Sequence, residues 1–560
     1  MSAEQPVWNP RLAFVKRLAE CIPAILKSQD KKTGRFGTQP WICNDQNVLL
    51  PLAAAWAIKD KDNPWHHDAR LLDAIMLGGD ALVDDQDPRG MWTFRKKDGS
   101  TWGQIAQPWT YSRWVRAFAL IKDAMPAARR AKWEKGLRLG YTTISKSALH
   151  RVHNIPCHHG MGLYCAGEAL GRDDWKKQAA AFMRKVIARQ HKEGYWSEHA
   201  GPVVLYNFIY SEALGGYHAM SGDKSVLPAL RRAAVFHANL TYPDGINVET
   251  VDGRNPYHPG RVSAGNVGFT FSPEGRGFLL RQLGRLHAAG KKVGADHAAQ
   301  ILLYGAAGPA VVTADAAHWT SSDRKIAVLR RKPWFVAMSA HTAPVPANRW
   351  GQDRQNFVSV FHDKTGLIVV GGNTKLQPWW SNFTVGDRKL LRHKRGDASP
   401  RFVPPPGLIH TPSQASLKTP KGGGLNVTLD YGAESGSVTV TPVDDSQVRI
   451  VYACTPKGKR PVHGHLTLIP HVGRVVKTGA GASEKLSGKA IDLPAKAAGG
   501  WIEHAGWRLA MPAGTRLVWP KKAHNPYRKT GHSRLSEGRL AVEMKFSAAR
   551  PSYEFLLTVR

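Results

Sequence analysis

Residues 194–218 read GYWSEHAGPVVLYNFIYSEALGGYH. From Val203 onward the apolar residues recur four apart, Val204 with Phe208, and Leu205 with Ile209 and then Ala213. That is the period of one face of an α-helix, so the spacing predicts a helix over 203–220. A Gly-Tyr-Trp turn carrying Glu198 and His199 leads into it. Tyr206 and Tyr210, four apart, fall on a shared face. One stretch thus joins an apolar helix to a set of aromatic and ionisable groups at its entrance.

Working outward, the same period predicts helices over roughly 10–28, 47–60, 68–84, 108–125, 128–147, 158–170, 174–191, 224–239 and 270–289. Turn-forming stretches such as DDQDPRG, LGRDD, MSGDK and YPDG separate them. No residue-level repeat recurs at a fixed period, which disfavours a TPR or HEAT solenoid. Helices of similar length in consecutive antiparallel pairs suggest a helical toroid instead. Near residue 310 the character changes to short alternating runs, KIAVLRR, WFVAMSA, FVSVFHD, GLIVVGG, SVTVTPV, QVRIVYA, RLAVEMKF and YEFLLTV. These predict an antiparallel sandwich, with PRFVPPPGLIHTP (400–412) as a Pro-rich connection inside it. The expected architecture is an α+β, multidomain chain: an (α/α) toroid over 1–310, then an antiparallel β-sandwich over 311–560.

The formal charge of +35, from 78 Lys and Arg against 43 Asp and Glu, favours anionic partners. It is spread along the chain, which argues against a nucleic-acid-binding arm. No apolar run of about 18 residues is present, so a membrane span is not expected. The five cysteines, at 21, 43, 157, 165 and 454, form neither a CxxC pair nor a disulfide framework. MSAEQPVWNPRLAFVKR has no apolar signal core. The expectation is a cytoplasmic chain, or a periplasmic or secreted one whose leader has been removed.

Three segments of the helical half concentrate chemistry. HNIPCHHG holds His153, Asn154, His158 and His159 at the entrance of the helix expected at 158–170. The 194–218 stretch adds Glu198, His199, Tyr206, Asn207, Tyr210 and Tyr217. YPDGINVETVDGRNPYH adds Asp244, Glu249, Asp252, Arg254, Asn255, Tyr257 and His258, with Arg261 just beyond. Aromatic residues gather at loops and helix starts, Trp109 and Trp196 among them. Many serve core packing, but an aromatic plane also suits the C–H face of a sugar. This mixture fits β-elimination from a uronate. The sugar carboxylate must be neutralised and the enolate-like intermediate stabilised, a task for Asn, Arg and imidazolium donors. A base takes the C5 proton and an acid protonates the leaving oxygen, and a phenol beside positive charge can do both. The alternative is a glycoside hydrolase on the same helical barrel, which needs two flanking carboxyl groups. Glu198, Glu212, Asp244, Glu249 and Asp252 are its candidates. A non-catalytic binding protein for acidic glycans or nucleic acid leaves the Asn, His, Tyr and Arg clustering unexplained.

At these residues the chain resembles the polysaccharide lyases built from a helical toroid and an antiparallel β-domain, both the chondroitin AC/hyaluronate lyase type and the heparinase II/III/alginate lyase type. The Gly194–His199 turn resembles the catalytic His turn of the first type, and Tyr206-Asn-Phe-Ile-Tyr210 its tyrosine pair. Asn154 and Arg254 lie where that type places an Asn and an Arg. The resemblance implies that Asn154 binds the carboxylate and His199 assists as base or electrostatic partner. It makes Tyr210 the acid/base, with Tyr206 as rival because the His-to-Tyr spacing is longer here, and has Arg254 steady the leaving group. HHG resembles the heparinase-type Asn-His-Gly segment, which brings His159 or His158 into the site. In that type a β-domain His also reaches the cleft, and His341 or His362 fits. His158, Trp109, Trp196, Asn207, Arg261 and His341 are the expected substrate contacts. The expected partner is an acidic polysaccharide, with no nucleic acid and no membrane, and oligomeric state is left open. No cofactor is expected. The His341, Arg349, Asp353, Arg354, His362 and Asp363 cluster allows a structural divalent metal without calling for one. His463 and His465 alternate on a strand and read as a solvated pair.

Overall fold

The computed structural model describes residues 6–198, 201–312, 318–343, 355–372, 381–386, 409–521, 525 and 532–560. The chain divides into two compact units: 1–196 with 206–238 and 262–313, and 197–205 with 239–261 and 314–560. The second unit thus takes two segments out of the helical half.

The helical unit runs through helices Arg11–Lys27, Leu49–Ala57, Ala69–Asp84, Pro108–Ile121, Ala127–Ser147, Asn154–Leu170 and Asp173–Ala188. Val204–Ser221, Leu227–Asn239, Pro273–Ala288 and Ala295–Tyr304 follow. Their ends carry local signals. Asp68 accepts from the Leu71 amide and Ser272 from the Gly275 amide, each capping a first turn. Pro108 and Pro273 stand where a missing N–H costs nothing. Gly171, at φ +67°, ends Asn154–Leu170 in the left-handed conformation. The first helix packs on Ala295–Tyr304, which packs in turn on Leu49–Ala57, and Val7–Trp8 pairs with Gly308–Pro309. The last elements therefore return to the first, and the apolar stripes meet in one core that includes Trp92, Trp114, Trp133 and Tyr141. This is the toroid.

Two local results differ from the sequence reading. The helix expected at 158–170 begins at Asn154, one turn earlier, so Asn154 itself opens it. Pro156 does not delay the start, because the first turn has no intrahelical acceptor for its missing N–H. Ala295–Tyr304 was not anticipated from its ten residues.

In the β unit all strand pairings are antiparallel. One sheet runs 491–494, 516–521, 539–546, 462–468, 366–369, 358–362, 334–339, 326–331, 318–320, with 383–385 also paired to 462–468. The other runs 414–418, 425–430, 435–442, 447–454, 552–559, 507–510, 501–504, 475–478, 483–485. Residues alternate between buried and open along Ser435–Pro442 and Ser552–Val559, the mark of a sheet with one covered face. Val336, Val360, Leu466 and Val542 of the first sheet share a core with Val438, Ile450 and Phe555 of the second, which makes the pair a sandwich. Each such side chain stabilises by roughly 1.5–3 kcal/mol through burial. Tyr452 of one sheet donates to the His465 carbonyl of the other at 3.1 Å. His465 is itself fully buried, contrary to the solvated reading, with Nδ1 2.9 Å from the Ser381 carbonyl. Most of the 400–412 connection lies outside the described residues.

Candidate functional site

In the helical unit, Asn154 opens its helix and is 7% exposed. One turn on, His158 Nε2 lies 3.3 Å from Glu212 Oε1, which also pairs with Arg113 Nη2 at 3.3 Å. Arg113 grips Asp296 with both arms, Nε to Oδ1 at 2.8 Å and Nη2 to Oδ2 at 2.7 Å. Gln300 donates to Asp296 at 2.9 Å and accepts from Arg116 at 3.1 Å. Burial pushes the Glu212 carboxyl up, but His158, Arg113 and Arg116 outweigh it and hold it well below the usual range. Burial lowers His158, with Glu212 pulling the other way, and lowers His159 to about 3. Both imidazoles are therefore neutral at pH 7. The half-buried Trp109 ring tilts 5.9 Å from His158. Arg113, Arg116, Asp296 and Gln300 were missed. Their signal was a pair of arginines three apart on an otherwise apolar helix, and an Asp and Gln four apart.

The tyrosine pair shares a face but not an environment. Tyr206 is half-buried. Tyr210 is 0% exposed and stacks on Trp196 at 4.8 Å and 5°. The Trp196 indole donates to the Val186 carbonyl at 2.8 Å. Asn207, also buried, donates to the Trp196 carbonyl at 3.1 Å and accepts from its amide at 2.6 Å. Tyr210, Trp196 and Asn207 thus pin the Gly-Tyr-Trp turn to the helix. Neither the Tyr210 nor the Trp196 ring leaves an open face in this arrangement. His158 and His159 are buried in the helix packing, as Asn154 is.

In the β unit, Ser197–Glu198 pairs with Gly201–Pro202, and His199 lies outside the described residues. The His341 imidazole is half-buried and stands against Gly201, where an added Cβ would come within 3.2 Å of the ring. On the 239–261 segment, Glu249 accepts from Tyr242 Oη at 2.8 Å, Ser359 Oγ at 2.8 Å and the Gly371 amide at 2.9 Å. Burial raises its pKa. Asp252, equally buried, accepts from the amides of Arg254 and Asn255 at 2.8 Å each and of Leu205 at 3.4 Å. Burial pushes its carboxyl up to about 6 against those donors. Asp244 accepts from Tyr257 Oη at 2.5 Å. Arg254 is half-buried and Arg261 exposed. His362 contacts the Asp445 carbonyl at 3.0 Å and packs on the edge of Trp334. Arg349, Asp353 and Arg354 lie outside the described residues. Among the described residues no group of three His, Cys, Asp or Glu is placed to hold a metal ion, and no helix is long and apolar enough to cross a membrane.

All five acids a hydrolase would draw on are engaged internally. Glu198 is buried, Glu212 is ion-paired, and Asp244, Glu249 and Asp252 hold the chain's own donors. A general acid needs a carboxyl open to the glycosidic oxygen.

No family model and no curated protein matches the chain. Solved structures do. A chondroitin AC lyase from Streptomyces coelicolor A3, in complex with chondroitin sulphate, superposes with a TM-score of 0.53 at 14% identity, covering 100% of this chain and 80% of that one. Heparinase III gives 0.51 at 10%, covering 99% and 92%. A heparan sulfate lyase mutant from Pedobacter heparinus gives 0.50 at 11%, covering 99% and 83%. At such identities the likeness is one of architecture: over nearly its whole length, this chain has the fold of the polysaccharide lyases built from a helical toroid and an antiparallel β-sandwich.

Proposed function

We propose that the protein is a polysaccharide lyase that cleaves a uronate-containing acidic polysaccharide by β-elimination. The supporting observation is the fold shared with lyases whose names specify chondroitin and heparan sulfate, on a chain whose candidate carboxylates are all engaged internally. Elimination needs no free carboxyl on the enzyme. It needs donors for the sugar carboxylate and one group that moves a proton, and the +35 charge draws in such a substrate. In this reading Asn154 neutralises the uronate and Tyr206, the accessible member of its pair, is the acid/base. His199 or His341 assists proton removal, and Arg254 steadies the leaving oxygen. Trp109 and Arg261 are the substrate contacts that remain open.

The test is a panel of acidic polysaccharides scored by ultraviolet absorbance of the unsaturated product, beside a reducing-end assay. At least one substrate is expected to gain absorbance in step with new reducing ends. Tyr206→Phe and Asn154→Ala are each expected to lower kcat by roughly 100-fold or more, the scale of lost acid–base or oxyanion stabilisation. New reducing ends without absorbance would instead mark a hydrolase.

A further inference from the structure

We infer that Asn44 and Asn47, held on the Thr110 hydroxyl inside the helical unit, form a subsite for the uncharged face of a sugar ring, an inference that rests on Trp109 being the substrate contact just proposed. The two asparagines lie three apart in the 3-10 turn Cys43–Val48, where side chains at that spacing eclipse. Thr110 follows Trp109 in helix Pro108–Ile121 and is buried. Its Oγ1 stands 3.0 Å from Oδ1 of Asn44 and 3.0 Å from Oδ1 of Asn47. A hydroxyl has one proton to give. One carboxamide therefore accepts it, and the other, turned end for end, donates to the hydroxyl oxygen. The Cys43 thiol also bonds this hydroxyl, and burial pushes it up to about 12, so it keeps its own proton and takes none. Both asparagines are half-buried, and among the described residues neither side chain has a further partner. What they leave open is one NH2 and one C=O, side by side, next to an aromatic residue.

On a chain of charge +35, the cations of the neighbouring turns are all matched. Lys97 Nζ reaches Asp45 Oδ2 at 2.5 Å and the Thr38 and Pro40 carbonyls at 2.7 and 3.2 Å. Arg35, its guanidinium 4.6 Å from the centre of the half-buried Trp41 ring, holds Asp85 Oδ2 at 2.6 Å. Arg113, three residues beyond Thr110, is taken by Asp296 and Glu212. A donor beside an acceptor fits two adjacent sugar hydroxyls, one accepting from the NH2 and one donating to the C=O. A sulfate ester can only accept. It would bring no proton to the carbonyl, and each of these cations already has a carboxylate. The subsite therefore selects against sulfate by an unmet acceptor, where net charge alone would favour it.

The test is calorimetric binding to the full chain carrying Tyr206→Phe, which holds substrate without turning it over. The probes are a hexasaccharide of alternating glucuronate and uncharged sugar, and the same hexasaccharide fully O-sulfated. Salt at about 0.5 M screens the attraction due to net charge. The unsulfated probe is expected to bind at least roughly threefold tighter than the sulfated one, the scale of one hydrogen bond. Asn44→Ala and Asn47→Ala are each expected to weaken the unsulfated probe roughly 3–10-fold and to abolish the preference. Thr110→Val, which leaves both carboxamides without their anchor, should do the same, and Thr110→Ser, which restores the hydroxyl, should recover it. In the chain with Tyr206 intact these changes should appear in KM, with kcat within about threefold, because the subsite holds ground and transition states alike. Tighter binding of the sulfated probe, binding of neither probe, or a preference that survives both alanine variants would overturn the inference. Should the variants not fold, the order of the two probes on Tyr206→Phe decides alone. If no polysaccharide is cut by the wild type while the preference and its loss are seen, the lyase reading fails and the subsite stands.

Discussion

Tyr206 and Tyr210 carry the same phenol one helical turn apart, and only their surroundings separate them. The ring of Tyr210 lies flat on Trp196 with no open surface. Tyr210→Phe keeps that stack, so we expect turnover within about threefold of wild type and a stability loss of about 1 kcal/mol from the hydroxyl. Tyr210→Ala removes the stack and is expected to cost about 3–5 kcal/mol. Urea midpoints measured beside turnover check both, and a dead but fully stable Tyr210→Phe would return the acid/base role to Tyr210. Asn207→Ala strips both partners from the Trp196 backbone in a buried place, for a loss of about 2–4 kcal/mol. The pair's spacing was legible in the sequence because period alone defines a helix face. Which member faces outward was not, because that depends on the Trp196 stack, a contact that residue spacing does not encode. Asn154 was legible as a polar group at a helix start, while the Arg113–Asp296 grip spans 183 positions and has no local signature.

At the scale of elements, helix Ala69–Asp84 carries Gly78 and Gly79 in its interior, each disfavoured by about 1 kcal/mol against Ala. Packing explains their presence. A Cβ on Gly79 would fall inside the Trp133 ring of helix Ala127–Ser147, and one on Gly140 would fall on the Tyr111 ring of helix Pro108–Ile121. The bare backbone lets large aromatic side chains of neighbouring helices close in. Gly79→Ala, which propensity alone would make stabilising, is therefore expected to destabilise by at least 1–3 kcal/mol, the usual cost of overpacking. A rise in melting temperature would show that the contact relaxes freely. The helices read best from sequence were long and strongly periodic. Ala295–Tyr304 escaped because ten residues, AAQILLY at their end, fit a strand as well. The hairpin Trp92–Arg95 with Thr101–Ile105 was hidden inside a polar stretch. The departure of 197–205 and 239–261 from the helical unit was also unreadable. Chain order suggests membership in the first half, whereas the partners of Glu249, Ser359 and Gly371, lie more than a hundred residues on.

For the whole molecule, the helical unit answers acid chiefly through lowered histidines, whereas the β unit sets two raised carboxyls against lowered histidines such as His471, at about 4. The helical unit buries His159 and His237, each lowered to about 3, and His297, lowered to about 4, in every case chiefly by burial. An imidazole with a folded pKa below its ordinary 6.5 stays neutral in the fold while the unfolded chain takes up the proton. Stability is then full above about pH 6.5 and falls as pH drops toward the folded value. Each such histidine contributes at most about 1.4 kcal/mol per pH unit in that window. In the β unit the shift of Asp252 to about 6 has the reverse sign. Its folded state binds the proton first between pH about 6 and 4, so acid favours folding there, and the raised Glu249 acts likewise. Calorimetric scans from pH 7 to 4.5 should therefore show the helical transition moving down faster than the β transition. His237 supplies the control. Its ring is enclosed by Phe208 at 3.8 Å, Phe236, Phe269 and Phe278, a site that suits another apolar ring. His237→Phe is expected to flatten the helical unit's pH slope, whatever it does to the melting temperature at pH 7. An unchanged slope would mean that this imidazole accepts its proton without unfolding the unit.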